Sequence, residues 1–148
     1  MTVTGFRHMG ITVSDLDRSL AFYRDYLGLQ VVAEYRDLDT EYIRTLVGEP
    51  DQNIDIVVLT APDGMRVELL YYRSHSGAAG SAARAVEPGR PHVAFSVRNL
   101  ADLYKRRQEA GCMFKSPPLH SPDGVWVAYA HDPDGTILEL VQPQETAE

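Results

Sequence analysis

The sequence predicts an α+β fold made of two paired copies of one β-α-β-β-β module. Three observations predict it. Pro62-Asp63-Gly64-Met65-Arg66-Val67-Glu68-Leu69 returns as Pro133-Asp134-Gly135-Thr136-Ile137-Leu138-Glu139-Leu140. His8-Met9-Gly10-Ile11-Thr12-Val13 returns as His92-Val93-Ala94-Phe95-Ser96-Val97. Between these repeats the apolar spacing changes from alternation to helical period and back, in the same order in both halves.

In the first copy, residues 6–13 alternate, with Ile11 and Val13 on one face and His8, Gly10 and Thr12 on the other. Ser14 or Asp15 offers an N-cap. Leu16, Leu20, Tyr23 and Leu27 then follow at helical spacing, and Gly28 stands where a left-handed C-terminal cap belongs. Residues 29–35, 54–60 and 65–72 read as strands, the last two joined by a Pro62-Asp63-Gly64 turn. This copy is longer than the second, and the surplus, residues 34–53, is polar and partly aromatic. It reads either as an insertion that shapes a pocket or as a surface excursion.

Residues 73–91, rich in Gly, Pro, Ala and Ser, read as the linker between a first module at 6–72 and a second at 92–142. The second copy offers a strand at 92–97 and a helix capped by Asn99, carrying Leu100, Leu103 and Ala110 and ended by Gly111. A short strand at 112–115, a Pro-rich loop at 116–124, and strands at 125–131 and 136–142 complete it. A third Pro-Asp-Gly, at Pro122-Asp123-Gly124, lacks the following Glu-Leu and reads as a hairpin turn. The tail after Pro143 is expected to fray.

Length and composition suit a single compact domain over residues 1–148, with 44% hydrophobic and 24% charged residues. A net charge of −7 argues against nucleic acid as the main partner, because phosphate binding needs a basic surface. The single cysteine, Cys112, fits a reducing compartment. No apolar run approaches the ~18 residues of a membrane span, and no basic-then-apolar leader opens the chain. A cytoplasmic, soluble protein is expected.

The repeats place one imidazole early and one carboxylate late in each copy: His8 and Glu68, His92 and Glu139. Strand parity turns both histidines away from the helix-facing core, beside the small residues Gly10 and Ala94. Glu139 sits in a nearly continuous apolar run, where a carboxylate is costly unless paired or metal-bound. A histidine alone in a strand is more often a hydrogen-bonded structural residue. Two histidines and two glutamates in repeated contexts suggest ligands for one divalent ion such as Zn, Ni, Fe, Mn or Co.

His8-Met9-Gly10-Ile11-Thr12-Val13-Ser14-Asp15-Leu16, Phe22-Tyr23, Leu27-Gly28 and Asp132-Pro133-Asp134-Gly135 through Glu139-Leu140, with the order His8, Glu68, His92, Glu139, resemble the vicinal oxygen chelate superfamily. That group includes glyoxalase I, methylmalonyl-CoA epimerase, extradiol dioxygenases, fosfomycin-resistance enzymes and bleomycin-binding proteins. The resemblance implies paired modules forming a cup-shaped mixed sheet around one divalent metal per site, a small-molecule substrate and a homodimer, with no nucleic acid and no membrane. The His-Glu-His-Glu set is similar to that of glyoxalase I, which implies a lyase or isomerase working through a metal-stabilised enediolate or enolate. In that likeness Glu139 is the proton shuttle and Glu68 its complement. Leu69-Leu70-Tyr71-Tyr72 looks closer to epimerase-like members. Two alternatives stay open: an Fe(II) extradiol-type dioxygenase using His8, His92 and Glu139, and a non-enzymatic drug- or metabolite-binding resistance protein.

His120 reads as an exposed loop residue that could serve as an acid beside the pocket. His131 reads as a strand terminus and His75 as part of the linker. Arg7, Arg44 and Arg66 could hold an anionic group or make surface ion pairs.

Overall fold

The computed structural model describes residues 2–75 and 82–144. Part of the expected linker, residues 76–81, and the last four residues of the tail lie outside them. The chain divides into two compact units, Met1–Ala78 and Ala79–Glu148.

The first unit runs β1 (Met9–Thr12), α1 (Leu16–Leu20), β2 (Gln30–Leu38), α2 (Glu41–Val47), β3 (Ile54–Thr60) and β4 (Arg66–Tyr72). Its four-stranded sheet has the order β1-β4-β3-β2, with β1 parallel to β4 and the other pairs antiparallel. Asp15 caps α1 by accepting from the Arg18 N–H at 3.0 Å. The helix then widens into a π-helical stretch over Ala21–Tyr26, with Leu27 N–H donating five residues back to Phe22. Leu16, Leu20, Phe22, Tyr23 and Tyr26 of the helical segment and Ile11, Val57, Leu59, Val67 and Leu69 of the strands are buried and form this unit's core.

The second unit runs β5 (His92–Ser96), α3 (Leu100–Arg106), β6 (Met113–Phe114), β7 (Leu119–His120), β8 (Trp126–His131) and β9 (Ile137–Gln142). Its sheet has the order β5-β9-β8-β6, with β7 also paired to β8. Again the two outer members of the repeat, β5 and β9, are parallel. Leu100, Leu103, Ala128, Ala130, Leu138 and Leu140 make its core, with Cys112 buried at its margin.

All three Pro-Asp-Gly segments form turns in which glycine takes the left-handed backbone, with φ of 87°, 88° and 90° at Gly64, Gly124 and Gly135. A side chain there would meet its own backbone, which is why glycine recurs at each. The third is a hairpin turn between β7 and β8, as expected, closed by Ser121 N–H to Val125 at 2.8 Å.

Three elements differ from the expectation. The surplus segment contains α2, capped by the Thr40 hydroxyl accepting from Ile43 N–H at 3.2 Å and ended by Gly48 at φ 79°. Within the expected Pro-rich loop, Leu119 and His120 pair with Val127 and Trp126 as β7. Asn99 stands before α3 but its side chain does not cap it. The Leu100 N–H instead donates to the Gln142 side-chain oxygen at 2.8 Å, from a strand 42 residues away.

Asp55 anchors the end of β3 in the first unit. Its carboxylate accepts from Arg73 Nε at 3.0 Å and Nη2 at 2.8 Å, from Arg36 at 3.4 Å and from the Asp37 backbone N–H at 2.8 Å. Asp37 takes φ 56° to present that N–H. Burial alone would push the Asp55 carboxyl up, but these donors outweigh it and hold it below the usual carboxylate range. Among the described residues no helix is long and apolar enough to cross a membrane.

Candidate metal centre

Sheet register brings each early histidine to its late glutamate. Across the parallel β1–β4 pair, Gly10 lies opposite Glu68; across β5–β9, Ala94 lies opposite Glu139. Each histidine precedes that small residue by two positions and so shares its face. His8 Nδ1 is 3.3 Å from Glu68 Oε1, and His92 Nε2 is 3.0 Å from Glu139 Oε2. All four side chains are part-exposed, the histidines at 38% and 42% and the glutamates at 23% and 25%, so a small ion can reach them. The donor set, two imidazoles and two carboxylates, suits a borderline divalent ion. Among the described residues no group of three or more His, Cys, Asp or Glu side chains is gathered. The four candidates stand as two pairs, one in each unit.

The two pairs have different neighbours. Glu68 faces Val58 across β3, whereas Glu139 faces Tyr129 across β8. Tyr129 lies directly across the antiparallel β8–β9 pair from Glu139, and its ring meets His92 edge-on with centroids 5.3 Å apart. Burial first, then the nearby Glu139 charge, raise the Tyr129 phenol above its ordinary pKa. Tyr129 had no signal of its own in the sequence, because its place opposite Glu139 follows only from the β8–β9 register.

The surplus of the first copy does line a pocket. Val47 at the end of α2, with Glu49 and Gln52, walls a cavity of about 280 Å³ together with Thr12, Val13 and Tyr72. Thr12 lies on the strand face of Gly10 and His8 and Val13 on the other, so this cavity sits around the C-terminal end of β1.

The remaining candidates stand apart from the pairs. His120 is exposed and packs edge-on against Trp126, with centroids 5.1 Å apart. His131 ends β8, is 1% exposed, and lies with Nε2 2.7 Å from the Ala83 carbonyl oxygen. The side chain of His75 is outside the described residues. Arg44 pairs with Asp39, while Arg7 and Arg66 are exposed.

Residues 5–140 match the family model described as Glyoxalase/Bleomycin resistance protein/Dioxygenase superfamily. The chain belongs to this superfamily. It is 28% identical over 91% of its length to an ethylmalonyl-CoA/methylmalonyl-CoA epimerase of Cereibacter sphaeroides, covering 95% of that protein. It is also 28% identical over 97% of its length to a lactoylglutathione lyase of Arabidopsis thaliana, but spans only 46% of that longer protein. The fold is that of a glyoxalase family protein from Bacillus cereus, with a TM-score of 0.85 at 19% identity, over 96% of this chain and 95% of the other.

Proposed function

We propose that this glyoxalase-superfamily chain is a divalent-metal-dependent lyase or isomerase. Its reaction would remove and return a proton beside a carbonyl in a small molecule. The observation that carries this reading is the pair of His–Glu contacts, 3.3 Å and 3.0 Å, at equivalent register in the two sheets. The relatives named lactoylglutathione lyase and ethylmalonyl-CoA/methylmalonyl-CoA epimerase support the same class.

His8, Glu68, His92 and Glu139 would hold the ion, with both pairs contributed by one chain or by two copies in a homodimer. When bound, the ion supplies Lewis-acid stabilisation of the negative charge that develops on the carbonyl oxygen. Each imidazole would offer one ring nitrogen to the ion. Glu139 is the leading acid/base, taking the proton from carbon and returning it, with Glu68 as its counterpart. The cavity walled by Thr12, Tyr72 and Val47 would take the rest of the substrate.

The test is metal content and turnover together. Protein loaded with Zn²⁺, Ni²⁺ or Co²⁺ is assayed for isomerisation of a glutathione thiohemiacetal and for epimerisation of a branched acyl-CoA thioester. Glu139→Gln should abolish turnover with the ion largely retained. Absence of metal uptake on reconstitution would overturn the reading in favour of a binding protein, and oxygen uptake with a catechol would redirect it to a dioxygenase.

A further inference from the structure

The cavity of the first unit has a chemical character of its own. Thr12, Val13, Val47, Glu49, Gln52 and Tyr72 wall its 280 Å³ or so. Among these residues the Glu49 carboxylate is the one charge, and none is Lys, Arg or His. The others supply hydroxyl and amide groups, an aromatic ring and two valine side chains, and Gln52 is buried at 2% exposure. The end of α2 sets the place of Glu49. Gly48 turns at φ 79°, and the N–H groups of Gly48 and Glu49 both donate to the Arg44 carbonyl, at 2.9 and 3.2 Å. The Arg44 guanidinium is taken by Asp39, and among the described residues no ion pair engages Glu49. Val47 brings the carbonyl end of α2 to the same wall, and that end of a helix favours positive charge.

Thr12 and Tyr72 stand four residues after His8 and Glu68, on parallel strands and on the same faces of them. Leu70, midway, marks the shared face: its side chain lies 3.3 Å from where a Cβ on Gly10 would stand. At a rise of ~3.3 Å per residue, these walls lie about 13 Å along the strands from the His8–Glu68 pair. We propose that the cavity is a subsite for an organic cation, an ammonium carried on a short apolar chain at the far end of the substrate, with Glu49 as the specificity-determining residue. The carboxylate answers the ammonium charge, Tyr72 can add cation–π attraction, and Val13 and Val47 receive the carbon chain. A carboxylate or phosphate brought there would meet Glu49 as a like charge, with no cationic side chain in the wall to offset it. That the cation belongs to the substrate rests on the metal reading above; that the cavity selects a cation does not.

Three probes of matched length test this: n-pentylammonium, pentan-1-ol and pentanoate. Each is titrated into the full chain near neutral pH, where the amine is charged, following the amide NMR signals of Val13, Val47 and Gln52. Pentylammonium should shift these signals and bind about 5-fold more tightly than pentan-1-ol, the scale of a part-solvated ion pair. Pentanoate should bind more weakly than either. Glu49→Gln should remove the advantage of the ammonium and leave the affinity for pentan-1-ol unchanged. Glu49 is exposed, so thermal unfolding of this variant should match the parent. Pentanoate binding as well as pentylammonium overturns the proposal, and so does an ammonium advantage that survives Glu49→Gln. Silence of all three amides towards every probe overturns it too. Zn²⁺ uptake by the same protein keeps the two readings apart. Uptake without the ammonium preference overturns the subsite alone. The preference without uptake upholds the cation subsite and overturns the metal reading, and with it the assignment of the cation to that substrate.

Discussion

Glu68 and Glu139 occupy the same place in their sheets: each lies across a parallel strand pair from the residue two positions after its histidine, Gly10 in one case and Ala94 in the other. The equivalence predicts parallel behaviour on mutation. His8→Ala and His92→Ala should each abolish tight binding of a divalent ion. Because both imidazoles are more than a third exposed, each variant should unfold within about 0.5 kcal/mol of the metal-free parent. Metal analysis after dialysis, with urea unfolding of the apo proteins, checks both parts. Full metal retention in either variant would remove that histidine from the centre.

The turn glycines carry a second prediction. Gly64 and Gly135 sit at φ 87° and 90°, where any other L-residue is strained. Gly135→Ala should cost about 1–2 kcal/mol. Gly135 is also buried within its turn, closed by its N–H to Asp132 at 3.0 Å, so the strain cannot relax outward. Equilibrium denaturation of Gly64→Ala and Gly135→Ala should show destabilisation in both. Neutral behaviour would mean that the turns can switch to another type.

Much of this architecture was legible because the repeats carry local signals. Asp15 at the N-cap, Gly28 after the helix, and Gly64 and Gly135 in their turns each act through their own backbone. That His8 and Glu68, and His92 and Glu139, occupy matched positions was legible for a related reason, although their standing as two separate pairs was not expected. Strand parity and the repeat order fix which face each occupies, and the parallel register does the rest. What was hidden depends on neighbours distant in sequence, or on elements without an apolar stripe. Helix α2 buries none of its residues and leaves Tyr42 and Leu46 at 70% and 66% exposure, so only Thr40 and Gly48 mark it. Tyr129 looks like one more residue of an apolar strand until β8 is registered against β9.

Gln142 illustrates the same long-range dependence and carries a third prediction. It supplies the acceptor that Asn99 does not, taking the first N–H of α3 at 2.8 Å from the end of β9. Gln142→Ala should destabilise the protein by about 1 kcal/mol, the usual cost of losing a helix cap. Asn99→Ala should cost no capping energy, because the Asn99 side chain accepts no hydrogen bond from the helix. It does remove a residue suited to φ 54°, so a loss there would report backbone strain. Amide hydrogen exchange separates the two. Gln142→Ala should speed exchange at Leu100 specifically, and unchanged protection at that amide would rule out the capping role.

Asp55 supplies the fourth prediction, in which the sign of the pH dependence can be worked out. Its carboxylate is 5% exposed and receives Arg73, Arg36 and the Asp37 N–H, which together hold its pKa below that of the unfolded chain. A carboxylate with a lowered folded pKa contributes stability that is fully present above the unfolded value of about 4. That stability disappears as pH falls through the folded value. Asp55→Asn should therefore destabilise the protein by about 2 kcal/mol near neutral pH, the scale of hydrogen bonds to a charged group. The deficit should shrink towards zero in strong acid, where the native carboxyl is itself protonated. Arg36 and Arg73, at 42% and 44% exposure, can turn to water when Asp55 is lost, which keeps the cost below that of stranding a fully buried charge. Urea unfolding of both proteins across the acid range measures the difference directly. A deficit that persists unchanged in strong acid would mean that Asp55 stabilises the end of β3 through shape and neutral hydrogen bonding, not through its charge.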